Sequence, residues 1–192
     1  MSARLGNGGR AVGGTLARVR TIVSDPPPAE FQELLERRRR WGADRHDEIW
    51  EGVYRMIPAP GEAHWLIDEQ LAELLRPLAR AAGLVSSPEF NLGHTSDFRV
   101  PDRGLHRPET TGDWRPTAAL VVEILSPGDE TPAKIPFYAS HDVDELVIVD
   151  PQSRTVEWLA LEQGRYRPVE QSRLISLGPT ELAGRIDWPA VE

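Results

Sequence analysis

The run Leu120-Val121-Val122-Glu123-Ile124-Leu125-Ser126-Pro127 constrains this chain more than any other stretch. Apolar side chains surround a single carboxylate and a proline closes the run, so it reads as a strand buried on both faces and stopped at its carboxyl end. Glu123 is the anomaly. A lone buried carboxylate is costly, so it must be paired, neutralised, bound to a metal, or placed where the strand opens into a cleft. The C-terminal end of a central strand is also where open α/β sheets carry their chemistry. A second run, Glu145-Leu146-Val147-Ile148-Val149-Asp150-Pro151, is almost continuously apolar and is expected beside the first in the core of the sheet. A short helix carrying Lys134, Phe137 and Tyr138 separates them, with Thr131 as its cap and Pro132 as its first residue. The three pieces then form one parallel, right-handed crossover unit.

A chain of 192 residues is long enough for one domain with a real core. It holds no cysteine, which excludes disulfides, thiolate metal sites and cysteine nucleophiles and leaves oxygen, imidazole and amine chemistry. No apolar run is long enough to span a membrane and no secretory signal is visible, so the expectation is a cytoplasmic protein without membrane partners. A net charge of −8 argues against a surface that is basic throughout, although a local cleft with bound cations can still receive phosphate. Of the 22 basic residues one, Lys134, is lysine.

Residues 1–28 are rich in glycine, hold four arginines and end in three prolines; they are expected to be a flexible leader, with the domain occupying residues 29–192. Phe31, Leu34, Leu35, Arg38 and Trp41 recur at helical spacing before Gly42. The run Arg37-Arg38-Arg39-Arg40 crosses the C-terminal half of that helix, either as a solvated face that suits the helix dipole or as a phosphate contact. Ile49, Val53 and their neighbours form strand with Glu51-Gly52 as a corner or bulge. Ile67, Leu71, Leu74, Leu75 and Leu78 define a long helix from about Glu62 to Ala82, kinked at Pro77, with His64 in its first turn. Leu84-Val85 and Phe90 to Leu92 bracket one strand, and Phe98-Arg99-Val100 forms another that delivers Asp102 to its end. Residues 103–116 read as a loop. Arg154 to Leu161 and Tyr166 to Val169 form a hairpin, and the tail packs as an edge or short helix.

Asp102 and Glu123 thus arrive at one sheet edge on neighbouring strands, where two carboxylates repel unless a cation or proton joins them. Mg²⁺ accepts carboxylate, carbonyl and water oxygens, and the Ile124 carbonyl faces the same space if the strand bends there. Lys134 is badly placed for a helix dipole, in a first turn, so another charge must account for it. Two arrangements fit: a metal site served by Lys134, or a half-buried salt bridge between Lys134 and Glu123 with Asp102 capping a turn.

The ordered segments Arg99-Val100-Pro101-Asp102, Leu120 to Pro127, Lys134 to Tyr138 and Val143 to Pro151, with Asp47 to Gly52 and His64, resemble the Uma2 (DUF820-like) endonuclease family of the restriction-endonuclease-like PD-(D/E)XK superfamily. The likeness spans roughly Ala29 to Asp187. It implies an α/β restriction-endonuclease-like core, a central mixed β-sheet flanked by helices, with a C-terminal β-hairpin. It also implies a Mg²⁺- or Mn²⁺-dependent endonuclease that hydrolyses nucleic acid, DNA before RNA, and that could cut both strands as a homodimer. Asp102 matches the Pro-Asp acid, Glu123 the second acid and Ile124 the variable position whose carbonyl joins Asp102 and Glu123 around the metal. Leu125 stands where the superfamily's lysine would be, and Lys134 matches a lysine migrated to the adjacent helix, with a catalytic role. Glu48 resembles an additional catalytic acid, and His64 an accessory histidine. Glu130 departs from the Asp expected there. A catalytically inactive nuclease-fold module that binds nucleic acid or protein is the alternative.

Overall fold

A computed structural model describes residues 28–190, apart from 111 and 113. The leader expected over residues 1–28 therefore lies, but for Pro28, outside the described residues. Helix α1 (Ala29–Arg40) leads through a turn into β1 (Glu48–Trp50) and β2 (Val53–Arg55), a hairpin whose corner, Glu51-Gly52, has positive φ at both positions as a tight two-residue turn requires. Helix α2 (Glu62–Ala81) is continuous through Pro77, and Gly83 closes it at φ +72° while the Leu84 N–H returns to the Ala79 carbonyl at 2.8 Å. Then follow β3 (Val85–Ser87), β4 (Asn91–His94), β5 (Asp97–Arg99), β6 (Arg103–His106), β7 (Trp114–Arg115) and β8 (Leu120–Ile124). Helix α3 (Thr131–Ser140), β9 (Glu145–Asp150), the hairpin of β10 (Thr155–Glu162) and β11 (Arg165–Pro168), and α4 (Pro179–Arg185) complete the order.

The strands form two sheets, one ordered β2-β1-β5-β4-β7 and a larger one ordered β11-β10-β9-β8-β6-β3. In the larger sheet β8 and β9 are parallel neighbours joined through α3, with Glu123 opposite Ile148, and its other pairs are antiparallel. This is the mixed sheet with flanking helices and C-terminal hairpin that the sequence implies.

Alternation along β8 assigns its residues to the two faces. Leu120, Val122 and Ile124 pack with Ile67, Leu71, Leu75 and Ala79 of α2 and with Leu177, Leu182 and Ile186 of the tail. Val121 packs on the other side with Phe137, Tyr138, Leu146 and Leu159. Glu123, two residues on from Val121, shares that second face and meets α3.

The sequence reading needs correction in three places. Residues 103–116 are not all loop: β6 is fully buried between β3 and β8, and its polar residues are matched individually. Arg103 makes a two-pronged pair with Asp68 of α2 at 2.9 and 2.7 Å, and His106 meets the Ser87 hydroxyl at 2.8 Å. Gly104 leaves room for the Phe90 ring, whose Cε1 would lie 2.5 Å from an added Cβ. Secondly, Leu84-Val85 and Phe90 to Leu92 do not belong to one strand; β3 and β4 lie in different sheets. Thirdly, Thr131 is not the cap of α3 but its first residue, and Asp129 accepts both its N–H, at 2.7 Å, and its hydroxyl, at 2.6 Å.

Candidate active site

Asp102 lies where the chain crosses from β5, in the smaller sheet, to β6, in the larger one. This differs from a simple strand end. Strand β6 runs antiparallel to β8 with Arg103 opposite Val122, so one step further along the register sets Asp102 against Glu123. The Asp102 carboxylate accepts the Ile124 N–H at 2.7 Å and meets His64 Nε2, from the first turn of α2, at 3.2 Å. Arg103, the next residue, is held by Asp68 one helical turn beyond His64, so α2 is fixed to this strand at both positions.

Lys134 crosses from α3 to the same place. Its ammonium stands 3.0 Å from Glu48 Oε1, 3.2 Å from Glu123 Oε1 and 3.3 Å from Glu123 Oε2, with 13% of its side chain exposed. The first turn of α3 would not favour a cation, and these two carboxylates explain why one is there. Glu48 is itself fixed: the Trp50 indole N–H donates to it at 2.6 Å and the Val100 N–H at 2.8 Å. The Trp50 ring in turn lies under the Arg55 guanidinium, 3.7 Å from its centroid, and near that of Arg99, at 4.4 Å. Arg55 pairs with Glu130 at 2.5 Å, which ties the β1–β2 hairpin to the start of α3.

The fold therefore brings together Glu48, Glu123 and Lys134 as one ion group, and His64, Asp102 and the Ile124 backbone as an adjoining one. The sequence reading missed the parts of Tyr138 and Trp50. The Tyr138 hydroxyl donates to Glu123 from four residues beyond Lys134, on the same helix face, and Trp50 lies two residues from Glu48 on the same strand face. Both periodicities were available in the sequence.

Burial raises the Glu123 carboxyl well above the ordinary carboxylate range, against the pull of the nearby Lys134 charge and with a further push from the Asp102 and Glu48 charges. Lys134 is desolvated, yet the surrounding carboxylates hold its pKa above the ordinary lysine value. Burial works against a charged His64, but the hydrogen bond and charge of Asp102, with Asp68 and Glu123 beyond, raise it overall. Its Nδ1 is buried and has no hydrogen-bond partner among the described residues. The site thus carries more negative charge than Lys134 alone offsets. Among the described residues no group of three or more His, Asp or Glu side chains is arranged to hold a metal ion. Asp102, Glu123 and a main-chain carbonyl are nevertheless a hard-oxygen donor set of the kind Mg²⁺ takes with one or two carboxylates and its own waters.

Residues 28–184 match the model of the Uma2 family, described as "Putative restriction endonuclease". The chain belongs to this family. Among solved structures it is similar to "a putative nuclease belonging to DUF820" from Anabaena variabilis, with TM-score 0.59, 16% identity, 72% of this chain and 90% of that one covered. That likeness is one of fold. A DrdV–DNA complex matches at TM-score 0.36 and 18% identity over 81% of this chain and 13% of that one. No curated protein matches the chain.

Proposed function

We propose that this Uma2 family member is a divalent-metal-dependent endonuclease that hydrolyses phosphodiester bonds of nucleic acid, with DNA as its substrate. The observation that carries the proposal is the approach of Lys134 from α3 to within 3.2 Å of Glu123. With Leu125 in the place of the superfamily's lysine, a lysine reaching back from the adjacent helix is what an active site of this type requires. Asp102 and Glu123, with the Ile124 carbonyl, would hold Mg²⁺ or Mn²⁺, which when bound supplies a Lewis-acid centre for phosphodiester hydrolysis. The Lys134 ammonium orients the attacking water and offsets negative charge as it builds at the phosphorus. Glu48 holds Lys134 in that position, and Trp50 holds Glu48. His64 fixes the Asp102 carboxylate, whose other oxygen is taken by the Ile124 N–H. Cleavage of both strands calls for two such sites, hence a two-fold dimer.

Calorimetric titration with Mn²⁺ tests the metal half of this reading. Wild type should bind saturably, D102A/E123A should not, and equal heats from the two proteins would overturn it. One observation favours a second reading, an inactive nuclease-fold module that binds nucleic acid or protein: Lys134 already contacts two carboxylates, as a closed structural ion group would.

A further inference from the structure

Helix α1 buries none of its residues completely. Its inner side, with Phe31, Leu34, Leu35 and Arg38, is half-buried; Arg40 and Trp41, three and four residues beyond Arg37, lie with it on an exposed side. We infer that this face, with Arg45 in the turn that follows, is a contact surface for a single-stranded segment of nucleic acid. Phosphates lie on the guanidinium groups, and an unpaired base stacks on the Trp41 indole. This rests on the functional reading above and adds to it a surface, next to the strand that carries Glu48, for an unpaired stretch of the nucleic acid.

Three observations carry the inference. The first is charge left free at this place. Arg37, Arg40 and Arg45 form no ion pair or hydrogen bond with any described residue, and Arg39 comes only within 4.0 Å of Asp44. Glu33 and Glu36, one turn before Arg37 and Arg40, do not pair with them. Arg38, within the same run, is used differently: it turns inward to make two bonds to Asp47, at 2.8 and 2.6 Å.

The second is Trp41, 75% exposed and the most exposed large apolar side chain among the described residues. Dipole compensation accounts for basic residues in the last turn of a helix but not for an indole among them. An indole next to guanidinium groups is the pairing by which proteins hold single strands, since every base offers a face to stack and every nucleotide a phosphate.

The third is position. The Asp47 that Arg38 grips directly precedes Glu48, whose carboxylate touches Lys134, so the helix is fixed to the backbone that enters the site. In a chain of net charge −8, a polyanion is repelled by most of the surface and held where positive charge is concentrated.

The test is fluorescence anisotropy of a short labelled oligonucleotide, single-stranded and as a duplex, titrated in EDTA at several salt concentrations with wild type, R37A/R40A and W41A. For R37A/R40A the salt slope of single-strand binding should fall by about 1.4, or about 0.7 for each phosphate no longer neutralised. For W41A single-strand affinity should drop about 5- to 150-fold with the slope unchanged, and duplex affinity should hardly move. The patch variants should still unfold cooperatively in urea near the wild-type midpoint, because Arg37 and Arg40 form no ion pair or hydrogen bond with any described residue and Trp41 is 75% exposed. The inference is overturned if R37A/R40A and W41A bind normally, if W41A loses single strand and duplex equally, or if wild type binds anionic lipid vesicles and neither nucleic acid. Binding abolished with the patch, in a wild type that cuts nothing in Mn²⁺, would overturn the nuclease reading and leave this surface standing. Cleavage with unaltered binding by the patch variants would do the reverse.

Discussion

Replacing Lys134 by methionine keeps most of the stem's volume and removes the ammonium from between Glu48 and Glu123. Both carboxylates are almost wholly buried, at 1% and 3% exposure. Removing one partner from a buried ion pair costs about 3 to 5 kcal/mol, because the remaining charge has nowhere to go. Two features set where in that range the effect falls. Glu123, whose pKa burial raises against the pull of Lys134, can take a proton once that ammonium is gone and shed its charge. Glu48 keeps the Trp50 and Val100 N–H donors. The expected loss at pH 7 is therefore about 3 kcal/mol, at the lower end. E123Q removes one of the two acids and leaves Lys134 paired with Glu48, so it should cost about 1 kcal/mol or less. In E123Q/K134M part of the K134M loss should return, with a coupling of about 0.5 to 3 kcal/mol. Urea unfolding of the four proteins at pH 7 measures all of these. A K134M loss below about 1 kcal/mol, or strict additivity in the double variant, would refute the ion group as described.

Other consequences are open to the same assay. The Tyr138→Phe change takes a buried hydroxyl from Glu123 and should cost about 1 to 3 kcal/mol; an unchanged urea midpoint would contradict that hydrogen bond. Gly104→Ala forces a methyl against the Phe90 ring inside β6 and should cost about 1 to 3 kcal/mol, whereas a neutral effect would argue against a packed strand there. His106 supplies a pH dependence: burial, with a smaller push from Arg115, lowers its pKa to about 4. The unfolded chain binds this proton near pH 6.5 and the folded one near 4, so stability falls as pH drops through that window, by up to about 3 kcal/mol. In H106Q that part of the fall should vanish, and a gap between wild type and H106Q that stays constant from pH 7 to about 4 would refute it.

Hydrophobic period made the frame of this protein readable. Two apolar runs became parallel β8 and β9, the stripe from Ile67 to Leu78 became α2, Glu51-Gly52 became a hairpin corner, and the expected C-terminal hairpin formed from β10 and β11. Strand β6 escaped because Arg103 and His106 look like loop residues until partners distant in sequence, Asp68 and Ser87, meet them. Membership of β3 and β4 in different sheets escaped for a similar reason: local pattern marks a strand but not its neighbours. At the site, an acid in an apolar run and a cation in the wrong turn of a helix pointed to each other, and Lys134 and Glu123 do meet. The part of Glu48 was visible only through resemblance, since its carboxylate reaches Lys134 across 86 residues of chain.

The central claim is that Asp102, Glu123 and Lys134 form a working nuclease site. Single-turnover cleavage of a generic double-stranded DNA in Mg²⁺ or Mn²⁺, by wild type, D102N, K134M and K134R, tests it most directly. K134R can still pair with a carboxylate but does not put a compact ammonium beside the attacking water. The account predicts metal-dependent cleavage by wild type, a fall of about 10²-fold or more in each variant, and no recovery in K134R. Cleavage by K134M at the wild-type rate would remove Lys134 from the chemistry, and no cleavage of DNA or RNA by any of the proteins would contradict the claim itself.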